Sequence, residues 1–152
     1  MALEAIISGG QTGVDRGAID AALALGFPCG GTCPRGRTAE DGVIPDHYPF
    51  TESTEDHYQA RTEANISNSD ATLILAFSLP LEGGTRLTQE LAVEKRSPFL
   101  IQILPWSTQE VMDWLVAADL KRLNVAGPRE SGAPGIGRAT FEFLSELLKR
   151  LS

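Results

Sequence analysis

The sequence predicts an α/β protein: a single Rossmann-like domain with a mostly parallel sheet and helices on both faces. Short apolar segments alternate along the chain with longer segments whose apolar residues recur at helical spacing. The short segments are almost continuously apolar, which is typical of strands buried on both faces. The length of 152 residues is that of one ordinary domain, so we expect one core spanning residues 1–152.

The first third of the chain predicts a strand, a glycine turn and a helix. Residues 5–7 are short and apolar, and residues 14–25 carry apolar side chains at helical spacing. Residues 27–31 are consistent with a second short strand. The following stretch, residues 30–50, contains three prolines and four glycines, too many for a regular element. Its length makes it a candidate lid over a binding site.

The remainder of the chain repeats the strand and helix pattern. Ser53 or Thr54 is predicted to cap a polar helix that ends near Ser69. Residues 71–77, 98–104 and 122–127 are predicted strands, and helices follow each of them. Ser107 and Glu110 have the spacing of a capping box at the start of one of these helices. The final helix carries leucines on one face up to the end of the chain.

Right-handed crossovers place all strand-to-helix loops at the carboxyl edge of a parallel sheet. We therefore expect residues 8–13, 31–42, 83–85 and 127–135 to converge there. Backbone amides at the amino ends of helices attract anions, and glycines let a ligand approach them. The candidate binding residues in these loops are Ser8, Gly9, Gly10, Gln11, Thr12, Gly13, Arg35, Arg37, Gly83, Gly84, Thr85, Arg129 and Ser131.

The charged residues favour a phosphorylated small-molecule ligand. A net charge of -7 argues against nucleic acid as the main partner. Arg35, Arg37 and Arg129 lie in or beside glycine loops, where the arginine fork suits phosphate or carboxylate. As solvent-facing side chains, Arg37 and Arg129 are expected to contribute little to stability.

Two nucleotide fingerprints are excluded by the first glycine loop. Gly13 is followed by Val14 and Asp15, whereas a Walker loop requires lysine and then serine or threonine. The dinucleotide pattern has Ser8 at its first glycine position, and no acid ends the second strand near Gly30. We therefore expect neither that type of ATP hydrolysis nor NAD binding.

No metal site and no membrane segment are predicted. His47 and His57 do not have metal-ligand spacing, and Cys29 and Cys33 are favoured as small loop residues, with a soft-metal role left open. The first residues lack a basic leader segment, and the longest apolar run, residues 71–77, is too short to cross a bilayer. We expect a soluble cytoplasmic protein.

The acidic residues near the predicted site leave several roles open. Asp15 lies in the first turn of its helix, where the helix dipole alone favours a carboxylate, so capping is favoured at least as much as catalysis. Glu40 and Asp41 are expected either to act at the site or to pair with Arg35 or Arg37 and make the loop rigid. Three polar residues of one helix, Arg61, Asn65 and Asn68, lie on one face that either lines the pocket or faces water.

Five motifs together carry a family resemblance: "SGGQTGVDRGAIDAAL", "PRGRTAEDGVIP", "RTEANISNSDATLIL", "GGTRLTQ" and "LNVAGPRESGAPGI". In these segments the chain resembles the putative molybdenum carrier family, a Rossmann-like group related to the lysine-decarboxylase-like (LOG) and DNA-processing A proteins. The resemblance implies that the ligand is molybdenum cofactor, a phosphorylated molybdopterin that holds its metal through a dithiolene. It also implies a homodimer.

The chain departs from the motif with which LOG enzymes cut nucleoside monophosphates, P-G-G-x-G-T-x-x-E. In "LEGGTRLTQE" the acid Glu90 lies five residues after Thr85 instead of three. We therefore favour a noncatalytic binder of a phosphorylated heterocycle. Two alternatives stay open: a nucleotide hydrolase with Glu90 or Asp15 as acid or base and Arg129 as phosphate anchor, and a nucleotide-sensing module that binds a protein partner.

Overall fold

The structure is a computed structural model that describes residues 3–151. Eight strands lie within this range: β1 (Ala5–Ile7), β2 (Cys29–Cys33), β3 (Thr38–Ala39), β4 (Gly42–Val43), β5 (Phe50–Glu52), β6 (Ala71–Ala76), β7 (Phe99–Ile103) and β8 (Arg122–Ala126). The helices in the same range are α1 (Val14–Ala24), α2 (Tyr58–Ser67), α3 (Gly83–Glu94), α4 (Thr108–Ala117) and α5 (Ile136–Leu151).

Six of the strands form a parallel sheet in the order β5-β2-β1-β8-β6-β7. The last strand, β8, therefore lies in the middle of the sheet, between the first strand and β6. Ile6 is in register with Leu123, and Leu73 with Val125. The parallel sheet and its flanking helices confirm the predicted Rossmann-like α/β fold.

Alternate residues of β6 contribute to opposite layers of the core. Leu73 and Leu75 belong to the main cluster, which α1, α4 and α5 cover, whereas Ile74 and Ala76 pack with Leu81 on the other side. This alternation is the period of two expected of a strand that is buried on both faces. No helix within residues 3–151 combines the length and apolar content needed to cross a membrane.

Helices α1 and α5 pack against each other at a glycine. A Cβ atom added to Gly17 would lie 2.4 Å from the carbonyl oxygen of Gly137. Any larger residue at position 17 would therefore force the two helices apart. This contact sets the C-terminal helix against the first one and so brings the loop before α5 to the loop before α1.

The main differences from the sequence expectation lie in residues 27–57. The second strand lies two residues later than expected, at Cys29–Cys33, and the predicted irregular loop contains the β3-β4 hairpin and the strand β5. The helix expected to be capped by Ser53 or Thr54 begins at Tyr58 instead. The Ser53 hydroxyl accepts a hydrogen bond from the Glu55 amide at 3.2 Å in a local turn before it. The Ser107 cap is confirmed: its hydroxyl accepts from Glu110 N at 3.1 Å.

Candidate functional site

A cavity of about 630 Å³ lies at the carboxyl edge of the sheet, where β1, β8 and β6 end. We call it the carboxyl-edge cavity. Its floor and walls come from three of the strand-to-helix connections, from the first turns of α1 and α3, and from α2. They include Gln11, Asp15, Arg61, Thr62, Phe77, Leu81, Glu82, Gly83, Gly84, Thr85, Thr88, Gly127, Pro128, Arg129, Ala133 and Pro134.

The amino end of α3 faces this cavity, and no acidic side chain caps its first backbone amides. Its N-cap residue Glu82 makes no side-chain capping bond, and the first turn contains no acidic residue. Gly83 and Gly84 therefore present backbone amides and the positive end of the helix dipole to the cavity. Thr85, which is buried, completes this turn. The arrangement suits an anion.

A buried ion pair forms the floor of the cavity. Arg61 Nη1 lies 3.3 Å from Asp15 Oδ2, and the side chains are 8% and 6% exposed. The same carboxylate oxygen accepts a hydrogen bond from the backbone amide of Gln11 at 3.2 Å. Burial raises the pKa of Asp15 above its ordinary value of 3.8, and the nearby Arg61 guanidinium opposes this rise.

The glycines of the first loop are crowded by the protein itself. A Cβ atom at Gly9 would lie 1.7 Å from Arg61 Nη1, and one at Gly13 would lie 2.3 Å from the carbonyl oxygen of Pro128. Gly13 also has a φ of 82°, which disfavours other residues. Glycine is therefore required at these positions because Arg61 and the loop before α5 pack against them. This reason differs from the ligand approach that the sequence suggested.

A protein carboxylate also occupies the space between the loops before α1 and α5. Glu40, at the tip of the β3-β4 hairpin, accepts hydrogen bonds from the hydroxyl of Thr12, from Ser131 N at 3.1 Å and from Ser131 Oγ at 2.5 Å. These donors, with the hydroxyl of Ser131 first, lower the pKa of Glu40. Thr12 and Ser131 thus bind the protein's own anion.

The partners of both hairpin acids differ from those expected. Glu40 lies 3.9 Å from Arg129, and Asp41 forms two hydrogen bonds to Arg16, at 2.6 and 2.7 Å. Neither acid pairs with Arg35 or Arg37 within residues 3–151. These contacts join the hairpin to α1 and to the loop before α5.

A more open depression of about 700 Å³ lies on the other side of Glu40. Its acidic residues already have protein partners. Asp20 accepts from the Tyr48 hydroxyl at 2.7 Å, and Glu130 accepts from the amides of Gly135 and Gly137 at the start of α5. An anion would meet several carboxylates there, so this depression is a poor site for a phosphate.

The three arginines expected at the site have different surroundings. Arg129 lines the carboxyl-edge cavity. Arg37 instead donates to four backbone carbonyls, those of Ile44, Pro45, Tyr48 and Phe50, at 2.8–3.3 Å. Arg35 is exposed and lies 3.2 Å from Asp56. Neither Arg35 nor Arg37 lines the cavity, and the expectation that Arg37 is a solvent-facing side chain is wrong.

The polar residues of the first loop are also fixed by protein contacts. Ser8 is fully buried, and its hydroxyl donates to the carbonyl oxygen of Asp15 at 3.0 Å. Gln11 Oε1 accepts from the amides of Thr12 and Glu40 at 3.0 and 2.9 Å. Gly10 lies beside Ile44 and Phe50 rather than on the cavity wall. Of the residues in this loop and the first turn of α1, Gln11 and Asp15 line the cavity.

The two acids considered for catalysis lie in different places. Glu90 is on the outer face of α3, with its side chain 61% exposed and 3.5 Å from Arg86. Position 88, three residues after Thr85, carries a threonine that lines the cavity and donates to the Gly84 carbonyl oxygen at 2.9 Å. Thr88 therefore stands where the LOG motif places its acid. Asp15 and the exposed Glu82 are the carboxylates that line the described cavity.

Helix α2 carries Arg61 and Asn65 and ends at Asn68, the three polar residues for which the sequence left open whether they line the pocket or face water. Arg61 lines the cavity, whereas the Asn65 carboxamide bonds both backbone groups of Thr32, at 2.7 and 2.9 Å. Asn68 ends the helix at the surface. Thr62, Thr88 and Phe77 were not identified from the sequence. Thr62 and Thr88 lie near residues of the quoted motifs. Whether they face the cavity depends on the residues at which α2 and α3 begin, which the sequence did not fix.

Residues 3–151 contain no group of three or more His, Cys, Asp or Glu side chains that could hold a metal ion. Cys29 and Cys33 are free thiols, and Cys33 is buried in the core. Neither lines the carboxyl-edge cavity. Burial raises the pKa of both thiols, which disfavours the thiolate form that binds metals.

Comparison with known proteins confirms the resemblance in the motifs. The model of the circularly permutated YpsA SLOG family matches residues 6–148. A crystal structure named "Putative molybdenum carrier protein", from Syntrophus aciditrophicus, is 39% identical in sequence, with a TM-score of 0.90 over 97% of this chain and 96% of that chain. No curated protein matches the chain. With the family model covering nearly all of the sequence, the chain belongs to the circularly permutated YpsA SLOG family.

Proposed function

We propose that the protein binds a phosphorylated heterocycle in the carboxyl-edge cavity and carries it without cleaving it. The observation that supports this most strongly is the amino end of α3, which faces the cavity without a capping acid. The other two glycine loops already hold Glu40, Asp15 and Glu130. The phosphate therefore has one favourable place, on the amides of Gly83 and Gly84 beside Thr85.

The cavity walls suit the flat ring of a heterocycle. Phe77 lines the cavity and is held by Trp106, whose ring is stacked on it at a centroid distance of 6.0 Å. Trp106 is fixed in turn because its Nε1 donates to the carbonyl oxygen of Ala76 at 2.9 Å. Leu81 and Pro128 add apolar surface. Apolar and aromatic walls combined with fixed polar groups are the usual form of a small-molecule site.

Molybdenum cofactor is the ligand that we favour, because the related crystal structure carries the name of a molybdenum carrier. The donor set fits this group: the amides before Thr85 and the Arg129 guanidinium would hold the phosphate, and Asp15, Arg61 and Gln11 would face the polar edge of the pterin. The dithiolene supplies the metal ligands when the cofactor is bound. The chain therefore needs no metal-ligating side chains of its own.

Oligomeric state and location belong to the same proposal. We propose a cytoplasmic homodimer, as the resemblance to the carrier family implies. Exposed apolar side chains at Leu79, Val93 and Leu104 provide surface for such contact. We propose that nucleic acid is not a partner, because a net charge of -7 disfavours contact with a phosphate backbone.

Arg129→Ala is expected to weaken binding of phosphorylated probes by roughly 10- to 100-fold, since a charge-assisted hydrogen bond contributes about 1.5–3 kcal/mol. Isothermal titration calorimetry with AMP, GMP and inorganic phosphate measures this. Arg35→Ala is the matched control, because Arg35 is also a loop arginine but pairs with Asp56 outside the cavity. Equal affinities for wild type and Arg129→Ala would contradict the proposed site, and so would the absence of binding by wild type.

Hydrolysis of a nucleoside monophosphate is the second candidate function, favoured by the position of Asp15 in the cavity. A buried carboxyl with a raised pKa is a group that general acid catalysis can use. We expect wild type to release no free base or phosphate from AMP or GMP, as measured by chromatography. A wild-type rate that is lost in Asp15→Asn but kept in Glu90→Gln would favour the hydrolase and overturn the carrier proposal.

A further inference from the structure

Glu40 connects three parts of the chain at the border of the carboxyl-edge cavity. Its carboxylate binds Thr12 from the loop before α1 and Ser131 from the loop before α5. Its backbone amide donates to Gln11 Oε1 at 2.9 Å. Gln11, next to Thr12, and Arg129, two residues before Ser131, both line the cavity, although Glu40 itself does not.

The Gln11 carboxamide is held in one orientation. Its oxygen accepts from two backbone amides, those of Thr12 and Glu40, so oxygen and nitrogen cannot exchange places without losing both bonds. The side-chain nitrogen, Nε2, has no hydrogen-bond partner within residues 3–151. Gln11 is half-buried and lines the cavity, and a polar group fixed at a cavity wall is suited to an acceptor atom of a ligand.

We propose that Glu40 is a positioning residue for ligand binding. Its carboxylate fastens the hairpin tip to both loops, and its backbone amide thereby holds Gln11 so that Nε2 donates to a carbonyl oxygen or ring nitrogen of the heterocycle. The inference rests on the proposed function and adds a specificity determinant to it. A heterocycle that offers an acceptor at this place binds more tightly than one that offers a donor.

A second acid of the same hairpin provides a matched control. Asp41 carries the same charge and fastens the hairpin through Arg16, which does not line the carboxyl-edge cavity. Removing either carboxylate loosens the hairpin. The Glu40 carboxylate fastens the residue whose amide holds the Gln11 side chain, whereas the Asp41 carboxylate binds Arg16 of α1. The two variants therefore separate a positioning role from a general loss of stability.

The test is a double-mutant cycle with AMP and GMP as calorimetric probes. Glu40→Ala and Gln11→Ala are each expected to weaken binding about five- to tenfold, the effect of one hydrogen bond. The double variant is expected to bind no more weakly than Gln11→Ala, because Glu40 acts through Gln11. Asp41→Ala is expected to bind within about twofold of wild type. Additive losses in the double variant, or equal losses in Glu40→Ala and Asp41→Ala, would overturn the inference.

The side-chain amide signals of Gln11 give a readout that needs no ligand. In nitrogen-15 NMR spectra, with the assignment made from Gln11→Ala, a fixed carboxamide gives shifts away from those of a free glutamine. We expect these shifts in wild type and Asp41→Ala, and free-glutamine shifts in Glu40→Ala. Unchanged Gln11 signals in Glu40→Ala would refute the positioning role by themselves. Failure of wild type to bind either probe would instead refute the proposed function.

Discussion

Replacing Arg61 by methionine is expected to lower the free energy of unfolding by about 3–5 kcal/mol, because the buried Asp15 carboxylate loses its cation. Both side chains are more than nine-tenths buried, so water cannot replace the lost partner. Methionine keeps much of the side-chain volume, which limits the contribution of a cavity. Urea unfolding at neutral pH, followed by circular dichroism, measures the change.

Two controls separate the ion pair from other effects of the substitution. Arg61→Met combined with Asp15→Asn is expected to recover a large part of the loss, because the neutral amide needs no cation. Arg35→Met is expected to change stability by less than about 0.5 kcal/mol, since its pair with Asp56 is exposed. A double variant that is less stable than Arg61→Met would show that the charge of Asp15 does not cause the loss.

The stability of Arg61→Met is expected to fall as the pH rises. Burial already raises the pKa of Asp15 above 3.8, and removal of Arg61 raises it further. Folding of the variant then takes up a proton, so its stability falls as the pH rises from about 4 towards neutrality. The difference in the free energy of unfolding between wild type and Arg61→Met is therefore largest at neutral pH and becomes smaller in acid. A difference that stays constant over this range would contradict the assignment.

Arg37→Ala is expected to lower the free energy of unfolding by about 2–4 kcal/mol, because four backbone carbonyls lose a charged donor. These carbonyls belong to residues 44–50, which place Ile44, Tyr48 and Phe50 in the core. Thermal unfolding measures the loss. Arg35→Ala, two positions away, is the control and is expected to unfold like wild type. If Arg37→Ala is as stable as wild type, contacts other than those of Arg37 hold residues 44–50.

The sequence alone does not separate these two arginines. Arg35 and Arg37 share one loop, one charge and a glycine between them. The difference arises because the backbone of residues 44–50 curves around one side chain, and Arg37 adopts a φ of 54° that turns it inward. Such a contact depends on the path of a whole loop, which local composition does not encode.

The same limit applies to the choice among the glycine loops. Each of the three loops contains the same local signal, small residues before a helix, so each predicted an anion site equally well. Glu40 meets Ser131 across 91 positions of sequence, and Arg61 meets Asp15 across 46. These partners fill two of the loops with protein groups, whereas the first turn of α3 faces the cavity with no acidic residue in that turn and no side-chain capping bond.

The sequence by itself determined the class of the fold and the edge of the sheet at which the glycine loops meet. Apolar periodicity is a local property, and the handedness of crossovers then sends every strand-to-helix loop to the carboxyl edge. The tertiary structure alone decided which residues at that edge face the cavity: Arg61, Thr88 and Arg129 do, whereas Glu90 and Arg37 do not. The reason is that facing depends on helix start points and on contacts between distant segments, which form only when the chain packs.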